Sequence, residues 1–187
     1  MKNLQKAYLL IIFIFSGRTI AVEEAVGGTE SIVLDPRILG IWGTEEQRGY
    51  QLILKDKEER NRYLLLEFDF KFGAHSQIFQ LYVTKLNERT FLNYKPLHKS
   101  STESDNSYQF VSYSVQDSQL KVVIPEQSIL KKAVEEKKLM GTVRESLFGN
   151  TVQLTESVSN LKEFFVQNES LLFKDDKAVP FKRIDLK

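Results

Sequence analysis

The chain has 187 residues, 26 basic against 25 acidic side chains, and no cysteine. That length suits one domain with its own core, and a charge near zero removes the electrostatic reason to expect nucleic acid, which selects clustered Lys and Arg. Without cysteine there is no disulfide framework, thiolate zinc site, thiol nucleophile or lipid-modified cysteine.

Lys2 and Lys6 precede the apolar run Ala7 to Phe15, after which come Ser16-Gly17-Arg18 and small residues at Thr19 and Ala21. This is the layout of a secretory signal over residues 1–21, cut after Ala21. Nine apolar residues rise only about 13 Å as a helix, against a hydrocarbon core of roughly 30 Å. The expectation is an exported protein, periplasmic or secreted, that is not transmembrane after cleavage. Removing the signal takes away three basic residues and no acid, leaving 166 residues with 23 basic and 25 acidic groups, a net charge of −2. The stretch 22–34 is glycine-containing, acidic at its start and aperiodic, and reads as a flexible leader ahead of a single domain over 35–187.

Asp35-Pro36 has the form of an N-cap followed by proline in the first helical position, opening one short turn before Gly40-Ile41-Trp42-Gly43. From there to about Thr155 the dominant period is two. In Leu64 to Phe72, residues Leu64, Leu66, Phe68, Phe70 and Phe72 share one face and Leu65, Glu67, Asp69 and Lys71 the other, the pattern of a half-buried strand with its apolar face inward. Similar segments run over Tyr50–Leu54, Ile78–Leu86, Thr90–Tyr94, Tyr108–Val115, Gln119–Ile124, Thr142–Phe148 and Thr151–Leu154, separated by short turn signals. Such spacing forces hairpin pairing, because parallel crossovers need a dozen or more residues. The predicted fold class is therefore mainly β: an antiparallel up-and-down barrel of about 8–10 strands with two short helices in the C-terminal half.

The first helix follows Pro125, with Ile129, Leu130, Ala133 and Val134 in one stripe, Lys131 and Lys132 four residues before Glu135 and Glu136, and Gly141 closing it. The second is capped by Thr155 or Ser157 and buries Val158, Leu161, Phe164 and Phe165. Strands near Leu171–Phe173 and over Val179–Ile184 complete the chain. Lys99 to Ser107 has no apolar residue and reads as a surface loop.

Asp35-Pro36-Arg37-Ile38-Leu39-Gly40-Ile41-Trp42 resembles the start of lipocalin-like barrels, where a helical turn precedes Gly-x-Trp at the head of the first strand. The resemblance implies an arginine of the last strand lying across the tryptophan ring and closing one end of the barrel, which assigns the pair Trp42 and Arg183. More widely, Leu39-Gly40-Ile41-Trp42, Lys138-Leu139-Met140-Gly141, Leu161-x-x-Phe164-Phe165, Phe173 and Phe181-Lys182-Arg183 resemble a group of functionally uncharacterised bacterial envelope proteins with a lipocalin-like domain. That resemblance implies fold and compartment, and leaves the ligand open. Some of those proteins are lipoproteins; this chain departs from them in having no cysteine, and from the one-helix lipocalin plan in having two helices.

No metalloprotease, phosphate-loop, nucleophile-elbow, dinucleotide-binding or calcium-loop motif is present. His75 falls in the Gly73–Gln77 turn and His98 at the start of the polar loop, each without a second histidine three or four residues away. Adjacent acid pairs such as Glu45-Glu46, Glu58-Glu59, Glu135-Glu136 and Asp175-Asp176 read as solvated charges. We therefore expect no enzymatic activity, no catalytic residue, no metal and no cofactor. The aromatic residues of the strands have two readings, as core or as the lining of an apolar pocket. The lining candidates are Phe68, Phe70, Phe72, Tyr82, Tyr94 and Phe110, with Phe79, Phe91 and Tyr113 in the same strands. Two functions follow: binding of a small apolar molecule or lipid in the cell envelope, or a filled structural module that recognises another envelope protein.

Overall fold

The computed structural model describes residues 20–44, 49–69, 75–97, 107–146 and 149–185. Phe70, Phe72, His98 and nearly all of the expected polar loop lie outside these residues. The strands are β1 (Ile20–Val22), β2 (Gly40–Gly43), β3 (Gly49–Lys55), β4 (Tyr63–Asp69), β5 (His75–Leu86), β6 (Arg89–Pro96), β7 (Tyr108–Gln116), β8 (Gln119–Val123), β9 (Gly141–Ser146), β10 (Gly149–Leu154) and β11 (Val179–Ile184). The α-helices are α1 (Gln127–Glu135), α2 (Val158–Gln167) and α3 (Glu169–Leu172).

Strands β2 to β8 pair with their sequence neighbours in antiparallel ladders, and β11 closes the ring between β8 and β2. The result is a closed, eight-stranded antiparallel barrel, as the period of two predicts. The turns are those the residues favour: Asp117 and Ser118 both have positive φ, the conformation a two-residue hairpin needs to match strand twist. Three strands lie outside the barrel. β1 pairs antiparallel with the start of β7 and parallel with β10, and β10 pairs with β9. No helix among the described residues is long and apolar enough to cross a membrane.

Two apolar cores result. The inner one lines the inside of the barrel with Trp42, Ile53, Tyr63, Leu65, Phe79, Leu81, Leu120 and Phe181. The outer one lies between the outside of β6, β7 and β8 and the covering elements, joining Phe91, Phe110 and Val123 to Leu130, Val152, Leu161, Phe165 and Phe173. Phe165 sits 5.4 Å from Phe110 and 6.0 Å from Phe173, ring centre to ring centre. Aromatic pairs at such distances contribute about 0.5–1.5 kcal/mol beyond buried area.

The stretch read as a flexible leader over 22–34 is instead part of the packed domain. Val22 and Val26 are buried in the outer core. The Val26 amide donates to Asn93 Oδ1 at 2.7 Å, Thr84 Oγ1 donates to the Val26 carbonyl, and Asn93 Nδ2 donates to Thr84 Oγ1 at 2.9 Å. Thr84 and Asn93 are fully buried polar side chains on the outer face of β5 and β6, and this segment supplies their partners. Ile20 and Ala21, on the signal side of the cut expected after Ala21, are buried in β1 beside Val152 and Gln153.

Three further expectations change. Leu171 and Leu172 end helix α3 and Phe173 caps it, where a strand was expected; Leu172 and Phe173 enter the outer core from a helical turn begun at Asn168. Helix α1 starts after Glu126 and ends before Lys137, which takes φ 57, so Gly141 opens β9 and does not close the helix. A side chain at Gly141 would place Cβ 2.5 Å from the Gln153 carbonyl oxygen, which explains glycine in the β9–β10 ladder. Finally, the inward face of β4 is Tyr63, Leu65 and Glu67, each below 7% exposed, whereas Leu64, Leu66 and Phe68 face out and are half-buried. The ladder explains the swap. Leu65 aligns with Ile53 and Phe79, both inside, so the alternate residues must point outward.

Candidate functional site

One end of the barrel is closed by the single turn Pro36–Ile38. Trp42 is fully buried there, and its indole Nε1 donates to the Ile38 carbonyl at 2.7 Å. Arg183, aligned with Trp42 across β11 and β2, places its guanidinium carbon 4.9 Å from the ring centre. Gly40 begins β2 at φ +126, a conformation L side chains rarely adopt, and a Cβ there would lie 3.8 Å from the guanidinium of Arg183. The Gly-x-Trp and its arginine thus form one closed end, as the family resemblance implied.

Asp35 anchors the same plug. Its carboxylate accepts from Arg37 Nε and Nη2, both at 2.8 Å, and from the Tyr113 hydroxyl at 2.9 Å; its amide donates to the Tyr63 hydroxyl at 2.9 Å. Burial alone would raise the Asp35 pKa, but the bonds from Arg37 and Tyr113 outweigh it and hold the carboxyl below its usual value. Burial, then the charge of Asp35, pushes the Tyr113 hydroxyl well above the ordinary phenol range, so it stays a donor at all ordinary pH.

Away from the plug the inner face becomes polar. Cross-strand alignment runs from Arg183 and Trp42 through Gln51 and Glu67 to Gln77, all on the inward side. Glu67 is only 6% exposed. Tyr94 also faces inward, packing edge-on against Phe79 at 5.7 Å between ring centres. Burial, then the charge of Glu67, pushes its hydroxyl up, which keeps it protonated as a hydrogen-bond donor. The inside therefore has an apolar floor at Ile53, Leu65 and Phe79 and a polar belt at Gln51, Glu67 and Tyr94. There the Glu67 carboxylate can accept and the Tyr94 hydroxyl can donate a hydrogen bond.

Of the four lining candidates among the described residues, Phe68, Tyr82, Tyr94 and Phe110, the structure brings only Tyr94 to the interior. Phe68 faces out between Tyr50 and Ser76. Tyr82 lies outside, donating to Glu59 Oε1 at 3.0 Å and packed on Tyr108, with its pKa pushed up to about 12 by burial and the Glu59 carboxylate. Phe110 belongs to the outer core beneath α2. Phe79 and Tyr113 are inside and Phe91 outside. His75 begins β5 and is not in a turn. The residue that sequence reasoning missed is Glu67. Alternation alone hid it, because Glu67 shares its face with Asp69 and Lys71 and reads as solvated when the Leu64, Leu66 and Phe68 face is taken as inward.

Two open grooves lie outside the barrel. One, of about 970 Å³, passes Arg37, Lys85, Arg89 and Lys121 at the closed end. Its most enclosed cation, Arg89, is already bonded to Glu169 at 2.9 Å and Asp175 at 3.1 Å and rests on the Phe173 ring. The other, of about 600 Å³, runs between α1 and α2. No protein-family model, curated protein or solved structure matches this chain.

Proposed function

We propose that the protein is an exported, non-enzymatic binder of a small, largely apolar molecule or lipid in the cell envelope, of the same kind as the bacterial lipocalin-like envelope proteins that its motifs resemble. The observation that carries this reading is the gradient inside the barrel, from the sealed, apolar floor at Trp42, Phe79 and Leu65 to the polar belt at Gln51, Glu67 and Tyr94. An apolar tail lies against the floor, and a donor or hydroxyl group meets the Glu67 carboxylate and the Tyr94 phenol. The pairing and burial of Ile20 and Ala21 in β1 favour a cleavage that leaves both residues in the exported protein. Native mass spectrometry of freshly purified protein tests the proposal. A co-purifying mass lost on denaturation supports it, and a clean apo mass together with no uptake of fluorescent fatty acids refutes it.

A second reading, a structural or interaction module with a filled core, draws on a different observation. Large side chains already occupy the closed half, and the outside of β2 to β5 carries an uncharged apolar face. On this reading the inner residues are packing alone and the outer face is functional.

A further inference from the structure

Eight of the eleven strands close the barrel, and among the described residues β9 and β10 share no ladder with any of them. The connection runs through β1. On one side β1 pairs antiparallel with the start of β7, Ala21 with Gln109 and Val22 with Tyr108. On the other it pairs parallel with β10, Ile20 with Val152, Ala21 with Gln153 and Val22 with Leu154. Strand β7 changes neighbour at this point, since Ser112 to Gln116 pair with β8 and Tyr108 and Gln109 with β1. The sheet forks there, and the three residues of β1 fill the fork. Their sequence suits the place: Ile20 and Val22 are β-branched and buried in the outer core together with Val152 and Leu154.

Polar contacts tie the β9–β10 hairpin to α1. Gln127 Nε2 donates to the Asn150 carbonyl at 2.5 Å, and Lys131 Nζ donates to Glu145 Oε1 at 2.8 Å. A Cβ at Gly141 would lie 3.2 Å from Val134 Cγ2, so the start of β9 lies against the end of the helix. Residues 127–154 are thus one continuous stretch, helix on hairpin, of the supersecondary kind that opens as a unit. Two kinds of contact hold it to the barrel. Leu130, Leu139, Val152 and Leu154 pack in the outer core, which is non-directional, and β1 supplies a ladder, which is directional.

The joint after β1 is solvated. Glu23 and Glu24 are exposed, and the next fixed point is Val26, whose amide and carbonyl are bonded to Asn93 and Thr84. Further on, the Val33 amide donates to the Val83 carbonyl at 2.9 Å. The chain from Val26 onward therefore stays seated on β5 and β6 when β1 leaves.

We propose that β1 is a latch and residues 127–154 a flap. Release of the three-residue strand frees the flap as a unit, while the eight-stranded ring, whose own ladders do not include β1, stays closed. Release uncovers the Tyr108–Gln109 edge of β7, and β1 itself shows what that edge accepts, an extended segment with aliphatic residues on either side of a small one. Because Ile20 and Ala21 stand at the signal end of the chain, the position of the N-terminal cut sets how much of the latch remains. The device lies outside the barrel and holds whether or not the interior carries a ligand.

Hydrogen exchange followed by mass spectrometry, on the protein as purified from its producing cell, tests this under native conditions. In wild type the amides of β1, β9 and β10 are expected to exchange together, at least about tenfold faster than those of β3 to β5. Ala21→Pro puts a residue without an amide hydrogen in the centre of a strand that has a neighbour on each side. It is expected to speed exchange over 141–154 by about tenfold more and to leave β3 to β5 unchanged. Val123→Ala thins the same outer core from β8 without touching β1, and is expected to keep the rates over 141–154 within about threefold of wild type. Equal acceleration of hairpin and barrel by Ala21→Pro would make them one cooperative unit and overturn the proposal. Unchanged hairpin rates in Ala21→Pro would also overturn it, because the outer core alone would then hold the flap. So would a Val123→Ala effect as large as that of Ala21→Pro. A loss of the circular dichroism spectrum in Ala21→Pro overturns it too, since the ring would then depend on β1.

Discussion

Arg183 Nη2 donates to two carbonyls, those of Arg37 at 2.8 Å and Leu39 at 2.9 Å, while its guanidinium covers the ring of Trp42. One side chain of the last strand therefore joins the first barrel strand to the turn that seals the barrel. Truncating the ring, Trp42→Ala, is expected to destabilise by about 3–5 kcal/mol, the range for a buried large aromatic. Arg183→Ala should lose about 0.5–2 kcal/mol from the cation–ring contact alone. Chemical denaturation measures both, and a neutral Trp42→Ala would show that the closed end adds nothing to stability.

Gly40 holds positive φ directly beneath that guanidinium. Gly40→Ala is therefore expected to cost about 1–3 kcal/mol from backbone strain. The same substitution at Gly43, which lies in β2 with ordinary φ, meets chiefly the end of the flexible Ile184 side chain and should cost less. Equal losses at the two sites would remove strain as the reason for glycine at position 40.

Asp35 supplies a pH dependence whose sign follows from its depressed folded pKa. Such a group adds stability that is fully present above its unfolded pKa, about 3.9, and is lost as pH falls through the lower folded value. Stability measured by urea titration should accordingly fall on acidification below about pH 4. Asp35→Asn should flatten that part of the curve and, at neutral pH, cost about 1–3 kcal/mol through the weakened bonds to Arg37 and Tyr113. A variant with the same acid slope as wild type would mean that other carboxylates carry it.

The buried strand β1 makes a prediction about processing. Protein recovered from the producing cell should begin at or before Ile20 by N-terminal sequencing, since Ile20 and Ala21 pair with Val152 and Gln153. A start at Val22 would show that the domain folds without most of this strand. Independently, Asn93→Ala, which removes the acceptor of the Val26 amide, should destabilise by about 1–3 kcal/mol by leaving buried polar groups without partners.

The barrel was legible because its ladders are local. Alternation in β3 to β8 and two-residue turns such as Asp117-Ser118 determine the meander, and Gly40-x-Trp42 with Arg183 marked the closed end. Three features were not legible, each for its own reason. Residues 22–34 have no period because their anchors are scattered: Val22 ends β1, Val26 bonds to Asn93 and Thr84, and the Val33 amide donates to the Val83 carbonyl. In β4 both faces are rich in leucine, so alternation established a strand without showing which face was inside. That choice rests on alignment with Ile53 and Phe79, and it moved Phe68 out of the lining and Glu67 into it. Phe110 and Phe91 were in strands, as expected, but a barrel wall can be apolar on both sides when helices cover it from without. Counting aromatics could not separate an inner lining from an outer core.

The claim that the barrel interior holds an apolar ligand is tested most directly by fluorescent fatty-acid titration of delipidated protein, wild type against Gln51→Trp and Leu52→Gln. Gln51 faces the polar belt inside the barrel and Leu52 the outside, one residue apart on β3. The account predicts saturable binding of one probe per barrel by wild type, its loss when Gln51→Trp fills the interior, and its retention in Leu52→Gln. Absence of saturable binding, or binding that ignores Gln51→Trp and is lost in Leu52→Gln, would contradict it.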